Sequence, residues 1–214
     1  MKARKTIQYS CFFLGTALLL AALFLVLYNL HEDRQGGEQA EAVLAALQES
    51  IPEYVPEVTT VLTAEAYDLY AEYEETTTTV SEPETAEVDG HNYIGYLSIP
   101  EIDIALPVMA EWSYPNLKIA PCRYTGDLTD NNLIIAAHNY STHFGKIGKL
   151  SVGSELVFTD LKGKKHSYCV TEIEQLPGTA VEEMQFGSGE DWDLTLFTCT
   201  LNGQSRVTVR AKLQ

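Results

Sequence analysis

The chain divides into three stretches that differ in their pattern of apolar and polar residues. Residues 6–30 carry no charged side chain, residues 31–90 are rich in Glu and Thr, and residues 91–214 alternate short apolar runs with turn-forming residues. We therefore predict three regions: a membrane segment over 1–30, a stalk or linker over 31–90, and a folded domain over 91–214. A domain of this size can bury a core without disulfide or metal staples.

The first region has the length and composition of a membrane-spanning helix. The uncharged run from Thr6 to Leu30 can cross a hydrocarbon layer of about 30 Å as a helix. A cleaved signal peptide is the alternative, but its apolar core would be shorter and would end at a small-residue cleavage site. Lys2, Arg4 and Lys5 precede the run. The positive-inside rule therefore places the N-terminus in the cytoplasm and the rest of the chain outside, in a single pass.

The second region is acidic and is expected to act mainly as a spacer. Helical spacing occurs at Val43, Leu44 and Leu47, and again between Leu62 and Tyr73. The remainder is mostly Glu, Thr and Pro, which cannot bury enough apolar surface to fold, so we interpret it as an extended linker. The alternative is a regulatory helix that packs on the folded domain.

The third region has the pattern of an all-β, antiparallel sandwich or barrel. Apolar runs rich in β-branched and aromatic residues are separated by Pro, Gly and Asp-Asn turns. The predicted strands are 93–99, 105–109, 133–137, 155–159, 167–173, 193–198 and 206–212. Short helical turns fit near 114–119 and 141–150.

The net charge of the chain limits the kinds of molecule that it is expected to bind. The net charge of the chain is −16, and the three regions contribute +3, −15 and −4 in chain order. A protein that binds nucleic acid needs a basic face, so we do not expect nucleic-acid binding. The folded domain is close to neutral.

Three cysteines lie outside the membrane segment, which leaves at least one thiol unpaired. Cys122 and Cys169 fit either a disulfide or two separate buried thiols, and the sequence leaves both possibilities open. There is no CxxC pair, so a zinc ribbon or a thioredoxin-like site is not expected. Cys199 differs because it ends an apolar strand, TLFTC, where its side chain becomes exposed at a sheet rim.

Two more polar residues stand at predicted strand ends. Arg206 opens the strand after Cys199, seven residues later, and His138 ends the apolar run NLIIAAH. If residues 200–205 form a hairpin loop, Cys199 and Arg206 face one reacting group. A thiolate is a nucleophile, an imidazole can exchange its proton, and a guanidinium can hold a carbonyl oxygen.

Three sequence segments resemble the sortases, the membrane-anchored cysteine transpeptidases of Gram-positive bacteria. They are YIGYLSIPEIDIALPV, NLIIAAHNYSTHFGKIGKL, and TLFTC followed by Arg206. The chain departs from the family at Ala137, where members often have Gly before the histidine. The resemblance implies that Cys199 is the nucleophile and His138 the general acid/base. It also implies that Arg206 positions the substrate or stabilises the oxyanion, and that Thr198 helps to bind the substrate.

The same resemblance implies a sortase-type β-barrel and an acyl transfer. The enzyme would cleave a C-terminal sorting signal of the Leu-Pro-x-Thr-Gly kind and pass the acyl group from a Cys199 thioester to an amine. The expected partners are secreted proteins that bear this signal and an amine of a cell-wall precursor or a protein. The domain would work outside the cell, anchored to the membrane. No cofactor or metal is expected, although some sortases bind Ca²⁺, and here acidic loop residues would hold it: Glu182, Glu183, Glu190, Asp191 and Asp193.

Two other functions fit parts of the sequence. An L,D-transpeptidase of peptidoglycan is also anchored, rich in β-structure and dependent on Cys and His, but it has its Cys in a Ser-x-Gly-Cys context. Cys199 instead lies in Phe-Thr-Cys-Thr. A catalytically silent β-domain on a stalk would bind a surface partner, and its thiol would resist alkylation. His143, five residues after His138, lacks the surrounding carboxylates of a metal site.

Overall fold

The computed structural model describes residues 2–54, 83–186 and 192–214, with side chains from Phe12 onward. The helices are α1 (Lys2–Ser50), α2 (Tyr114–Leu117) and α3 (Val181–Phe186), with 3₁₀ helices at Pro100–Ile102 and Phe144–Lys149. The strands are β1 (Ala86–Val88), β2 (His91–Ile99), β3 (Ile104–Met109), β4 (Cys122–Thr125), β5 (Leu133–Ala137), β6 (Glu155–Asp160), β7 (Lys165–Pro177), β8 (Leu194–Cys199) and β9 (Ser205–Leu213). The second helical stretch predicted in the linker lies outside the described residues.

The described strands form one sheet that closes on itself. Their order is β1-β2-β3-β4-β5-β8-β9-β7-β6, and β2 also pairs with β6, so β2 to β9 make an eight-stranded barrel. The all-β barrel with short helices is therefore confirmed. The purely antiparallel arrangement is wrong at two places, because β3–β4 and β5–β8 are parallel pairs. Parallel neighbours need a long crossover, and here β6, β7 and α3 supply the connection between β5 and β8.

All seven predicted strands are present, with ends that differ from the prediction by at most four residues. The β5 bounds agree with the prediction, because its five residues are all buried and polar residues flank the strand on both sides. The sequence did not predict β1 or β4. Each is short, with three and four residues, and β4 contains an Arg in place of an apolar run.

The strands that end at the predicted site are buried on both faces. Leu133, Ile135 and Leu196 belong to the main core cluster inside the barrel. Ile134 and Phe197 belong to a second cluster on the outer face, which Met184 of α3 covers with other apolar side chains. Burial on both faces fixes the backbone of β5 and β8, so the residues that follow them have well-defined positions.

Helix α1 is continuous over 49 residues and has two different halves. From Phe12 to Leu30 its large apolar side chains are exposed, and the helix is long and apolar enough to cross a membrane. Beyond Leu30 the helix lies against the barrel. Gly36, Ala40 and Val43 are buried at helical spacing.

This docked half corrects the prediction of a solvated spacer for the first part of the linker. Ala40 belongs to the main core cluster, and Val43 and Leu47 pack in a further cluster with Tyr93 and Met109 of the barrel. The spacer interpretation is wrong here because the buried residues before Val43 are small, so the helix backbone approaches the domain without large apolar side chains. An apolar pattern marks only the last two turns of the helix.

Candidate active site

Strands β5, β8 and β9 lie side by side and meet at one rim of the barrel. In the parallel pair, Ala137 of β5 lies opposite Thr198 of β8, so His138 and Cys199 leave neighbouring strands together. In the antiparallel pair, Cys199 lies directly opposite Arg206 of β9. Neighbouring strands are about 4.8 Å apart. The strand register therefore brings the three predicted catalytic residues to one rim.

Cys199 is exposed at the end of a strand whose other residues are all buried. The loop between β8 and β9 closes as predicted, with the Thr200 amide donating to the Ser205 carbonyl at 2.9 Å. The thiol is thus accessible while the backbone that carries it is fixed. The other two thiols of the folded domain, Cys122 and Cys169, are also free, so the possible disulfide between them does not form.

His138 is half-buried directly after β5. Its ring stacks on the ring of Tyr140, with centroids 3.9 Å apart and an interplanar angle of 18°. Burial lowers the pKa of His138, and a hydrogen bond that the imidazolium donates to the Asn139 side chain opposes this shift. Its Nδ1 atom is buried and has no hydrogen-bond partner among the described residues. A lowered pKa favours the neutral imidazole at pH 7, which is the form that accepts a proton.

Arg206 is held by the carbonyl groups of the hairpin loop. Its Nη1 atom donates to Gly203 at 3.1 Å and to Ser205 at 3.2 Å. In the part of the chain that the structure describes, Nε and Nη2 have no such partner. These N–H groups leave the guanidinium able to bind a carbonyl oxygen or an oxyanion at the rim.

Thr198 has a clear contact within the protein. Its side chain is 3% exposed, and its hydroxyl donates to the Ala137 carbonyl at 2.9 Å. This bond ties β8 to β5 directly before His138 and Cys199. A contact between Thr198 and the substrate stays a prediction.

A row of aromatic side chains extends away from Cys199 on the outer face of the barrel. Phe197, on the same side of β8, packs edge-on against Tyr124 at 5.3 Å. Tyr124 contacts Trp112 at 5.6 Å, and Trp112 contacts Tyr114 at 5.7 Å. Tyr114 is 79% exposed. The row is an apolar surface on which an extended peptide could lie beside the thiol.

Arg210, on the same strand as Arg206, was not singled out from the sequence. Its side chain is 2% exposed and pairs with Glu174 at 3.1 Å. It also donates to the Glu183 and Met184 carbonyls of α3, at 2.5 and 2.8 Å. Arg210 therefore fixes α3 over the outer face of β5 and β8, next to the rim.

The structure gives no support for the possible Ca²⁺ site. Among the described residues, no group of three His, Cys, Asp or Glu side chains could hold a metal. Glu182 and Glu183 lie in the first turn of α3, and Asp193 is 3.7 Å from Lys212. Glu190 and Asp191 lie outside the described residues. His143 is fully buried away from any such group, and burial lowers its pKa to about 4.

The sequence reasoning also missed contacts that reach His138 from helix α1. Tyr140, which stacks on His138, donates its hydroxyl to Glu32 at 3.3 Å. Asp33 binds the next two residues, Ser141 and Thr142. No local sequence signal joins residues more than a hundred positions apart, so only the folded chain shows this arrangement.

Comparisons with known proteins agree with the observed fold. A family model described as Sortase domain matches residues 97–214. The sortase C1 of Streptococcus suis is 27% identical, with a TM-score of 0.50 over 58% of this chain and 74% of that chain. The sortase C1 of Streptococcus agalactiae is also 27% identical, with a TM-score of 0.50 over 60% of this chain and 70% of that chain.

A lid mutant of sortase A from Corynebacterium diphtheriae is 22% identical, with a TM-score of 0.51 over 58% of this chain and 71% of that chain. At this identity the likeness concerns the fold alone. A search of curated proteins gave no match.

Proposed function

The chain belongs to the sortase family, as its sequence motifs predicted, and from this premise we propose how this transpeptidase acts. It cleaves a C-terminal sorting signal of the Leu-Pro-x-Thr-Gly kind and transfers the acyl group to an amine of a cell-wall precursor or a protein. The observation that carries the proposal is the strand register at the rim. It puts an exposed Cys199 beside His138 and opposite Arg206.

In the first half of the reaction, the neutral imidazole of His138 takes the proton of the Cys199 thiol, and the resulting thiolate attacks the carbonyl carbon of the Thr-Gly peptide bond. The electron pair moves to the carbonyl oxygen, and the Arg206 guanidinium stabilises the negative charge there. When the intermediate collapses, the C–N bond breaks and His138 donates a proton to the departing glycine amine. The product is a thioester on Cys199.

In the second half, an amine attacks the thioester carbonyl and His138 accepts a proton from it. The C–S bond breaks, and the departing Cys199 sulfur takes this proton back from His138, which restores the thiol and the neutral imidazole. The new amide keeps the acyl group of the original peptide bond. Protons and electrons balance among the thiol, the imidazole, the peptide and the amine, so we propose that the reaction needs no cofactor.

The aromatic row supports an extended peptide as substrate. Apolar contact along Phe197, Tyr124 and Trp112 would hold the residues before the cleaved bond in line with the thiol. The apolar first half of α1 supports a membrane anchor. With Lys2, Arg4 and Lys5 on the cytoplasmic side, the barrel would meet secreted substrates on the outer face.

The proposal is tested with the full chain in detergent micelles or nanodiscs. The chain is incubated with a peptide that contains a Leu-Pro-x-Thr-Gly motif and with an oligoglycine amine. We expect a ligated product in the wild type and none above background in Cys199→Ala. Equal product yield in the Cys199→Ala variant, or no product from any sorting peptide with wild type, would contradict the proposal and favour a silent β-domain.

A further inference from the structure

Helix α1 lies unusually close to the segment that follows His138. A Cβ atom at Gly36 would be 2.9 Å from the Lys118 carbonyl oxygen and 3.0 Å from Cδ2 of Tyr140. A Cβ atom at Gly37 would be 2.8 Å from Cγ2 of Thr142. A side chain at either position would clash at these distances. The absence of side chains in the glycine pair therefore allows the helix to pack this close to the segment.

Asp33 binds this segment through both of its carboxylate oxygens. Oδ2 accepts from the Ser141 amide at 3.2 Å and from the Ser141 hydroxyl at 2.6 Å. Oδ1 accepts from the Thr142 amide at 3.2 Å and from the Thr142 hydroxyl at 2.8 Å. Burial raises the pKa of Asp33, but the hydrogen bonds from Ser141 and Thr142 outweigh it and lower the pKa. The carboxylate is thus ionised near neutral pH, and its bonds are charge-assisted.

Glu32 binds the residue that touches the histidine. Its Oε2 atom accepts from the Tyr140 hydroxyl at 3.3 Å, and its Oε1 atom pairs with Lys118 at 3.1 Å. Tyr140 is 8% exposed, and its ring lies flat against His138. Nδ1 of His138 has no hydrogen-bond partner among the described residues, so the stacking on Tyr140, together with the hydrogen bond to Asn139, sets the plane of the imidazole ring.

We propose that Glu32 and Asp33 of helix α1 are positioning residues, which orient the imidazole of His138. Glu32 holds Tyr140 directly, and Asp33 holds the two residues that follow it. This inference rests on the proposed function, in which His138 moves protons to and from the substrate. Among the described residues, neither carboxylate forms a hydrogen bond or an ion pair with His138, Cys199 or Arg206. A misplaced ring would slow proton transfer without weakening substrate binding, so kcat would fall while KM stays constant.

The test uses the full chain in nanodiscs, because the contacts begin two residues after the apolar run that ends at Leu30. The variants are Asp33→Asn, Glu32→Gln and Tyr140→Leu. Glu38→Gln and Glu41→Gln are the matched controls, since both residues lie on exposed positions of the same helix. Transfer kinetics are measured together with the NMR resonances of the His138 ring, assigned from the spectrum of His138→Gln.

We expect kcat to fall about 10-fold in Asp33→Asn and further in Tyr140→Leu, with KM unchanged. Stacking on Tyr140 shifts the His138 ring protons upfield, so both variants should move them downfield. Tyr140→Phe keeps the aromatic ring but loses the bond to Glu32, so its kcat should fall to the level of Glu32→Gln and stay above that of Tyr140→Leu. If Asp33→Asn does not fold, Glu32→Gln and Tyr140→Leu give the same two readouts.

The proposal is overturned if the His138 resonances stay in place in Asp33→Asn and Glu32→Gln, or if the exposed controls lower kcat equally. A rise in KM at constant kcat would also overturn it. The NMR readout is independent of turnover. If the variants show the resonance changes but the wild type transfers no peptide, the proposed function is refuted and the coupling between helix α1 and His138 stands.

Discussion

The two ends of the barrel carry similar side chains, but only one end leaves them available for chemistry. Strand β5 joins the ends, since it starts at Leu133 beside a cleft of about 640 Å³ and finishes before His138. At the cleft, His166 is paired with Asp160 at 3.0 Å. Arg123 there donates to the Ala110 carbonyl at 3.0 Å and to the Gly126 carbonyl at 3.1 Å.

At the other end of the barrel, the corresponding groups keep polar atoms that are not already paired within the part of the protein that the structure describes. Cys199 is exposed, and within the described residues Arg206 uses one of its guanidinium nitrogens while Nδ1 of His138 has no partner. A histidine, an arginine and a reactive or acidic group near one another therefore do not define a site by themselves. What separates the two ends is whether the polar atoms are already satisfied within the protein.

Substitution of the histidine at each end, His138 or His166, should give the largest difference in turnover between the two ends. His138→Gln should lower kcat/KM by about 10³-fold, because it removes the group that we propose exchanges protons with the amine. His166→Gln should leave turnover close to the wild-type value and lower stability by less than about 1 kcal/mol, since it loses only the contact with Asp160. Steady-state transfer kinetics and thermal melting check both variants. Comparable losses of turnover in the two variants would remove the distinction between the ends.

The two arginines give a smaller difference. Arg206→Ala should lower kcat/KM by about 10²-fold, which is typical for the loss of one group that stabilises an oxyanion. Arg206→Lys should recover only part of this, because an ammonium keeps the charge but lacks the planar fork of donors. Arg123→Lys should lower the melting temperature without changing turnover. An Arg206→Ala variant with full activity would show that another group binds the oxyanion.

Substitution of the buried His143 should have the smallest effect on turnover. His143 should instead make the free energy of unfolding depend on pH. Its pKa in the native state is lowered to about 4 by burial, whereas in the unfolded chain it is about 6.5. As the pH falls below 6.5, the unfolded state gains a proton that the native state does not bind. The free energy of unfolding should therefore fall by about 2 kcal/mol between pH 7 and pH 5 from this group.

Unfolding of the full chain at these two pH values, for wild type and His143→Gln, measures this contribution. The variant should lose most of the dependence in this range. The pKa values of Glu32 and Asp33 are lowered, so these carboxylates lose their stabilising effect only at more acidic pH. The same pH dependence in both proteins would show that His143 is not its source.

The sequence predicted the barrel and the strand ends at the candidate site better than it predicted the surroundings of that site. Strands such as β5 and β8 are continuous apolar runs between turn residues, so their ends, and with them His138 and Cys199, could be located from the pattern alone. The parallel pairing of β5 with β8 could not, because it depends on a crossover of more than fifty residues. Strand β1 exists through its pairing with β2, since its own three residues lie in an acidic segment.

The docking of α1 was missed for a different reason. Its contact with the site is made by Gly36 and Gly37, which have no side chain to register in a hydrophobic pattern, and by Asp33, which is one acid among many in that region. The stacking of Tyr140 on His138 is likewise a tertiary detail of a turn. Contacts that rely on small or charged residues become visible only once the partner surface is known.

The most direct measurement is the mass of the enzyme after brief reaction with a sorting peptide in the absence of an amine. The account predicts that the full chain gains the mass of the peptide up to its threonine, and that digestion places this mass on the Cys199 peptide through a bond that hydroxylamine cleaves. An unmodified Cys199, or an acyl group carried by Cys122 or Cys169 instead, would contradict it.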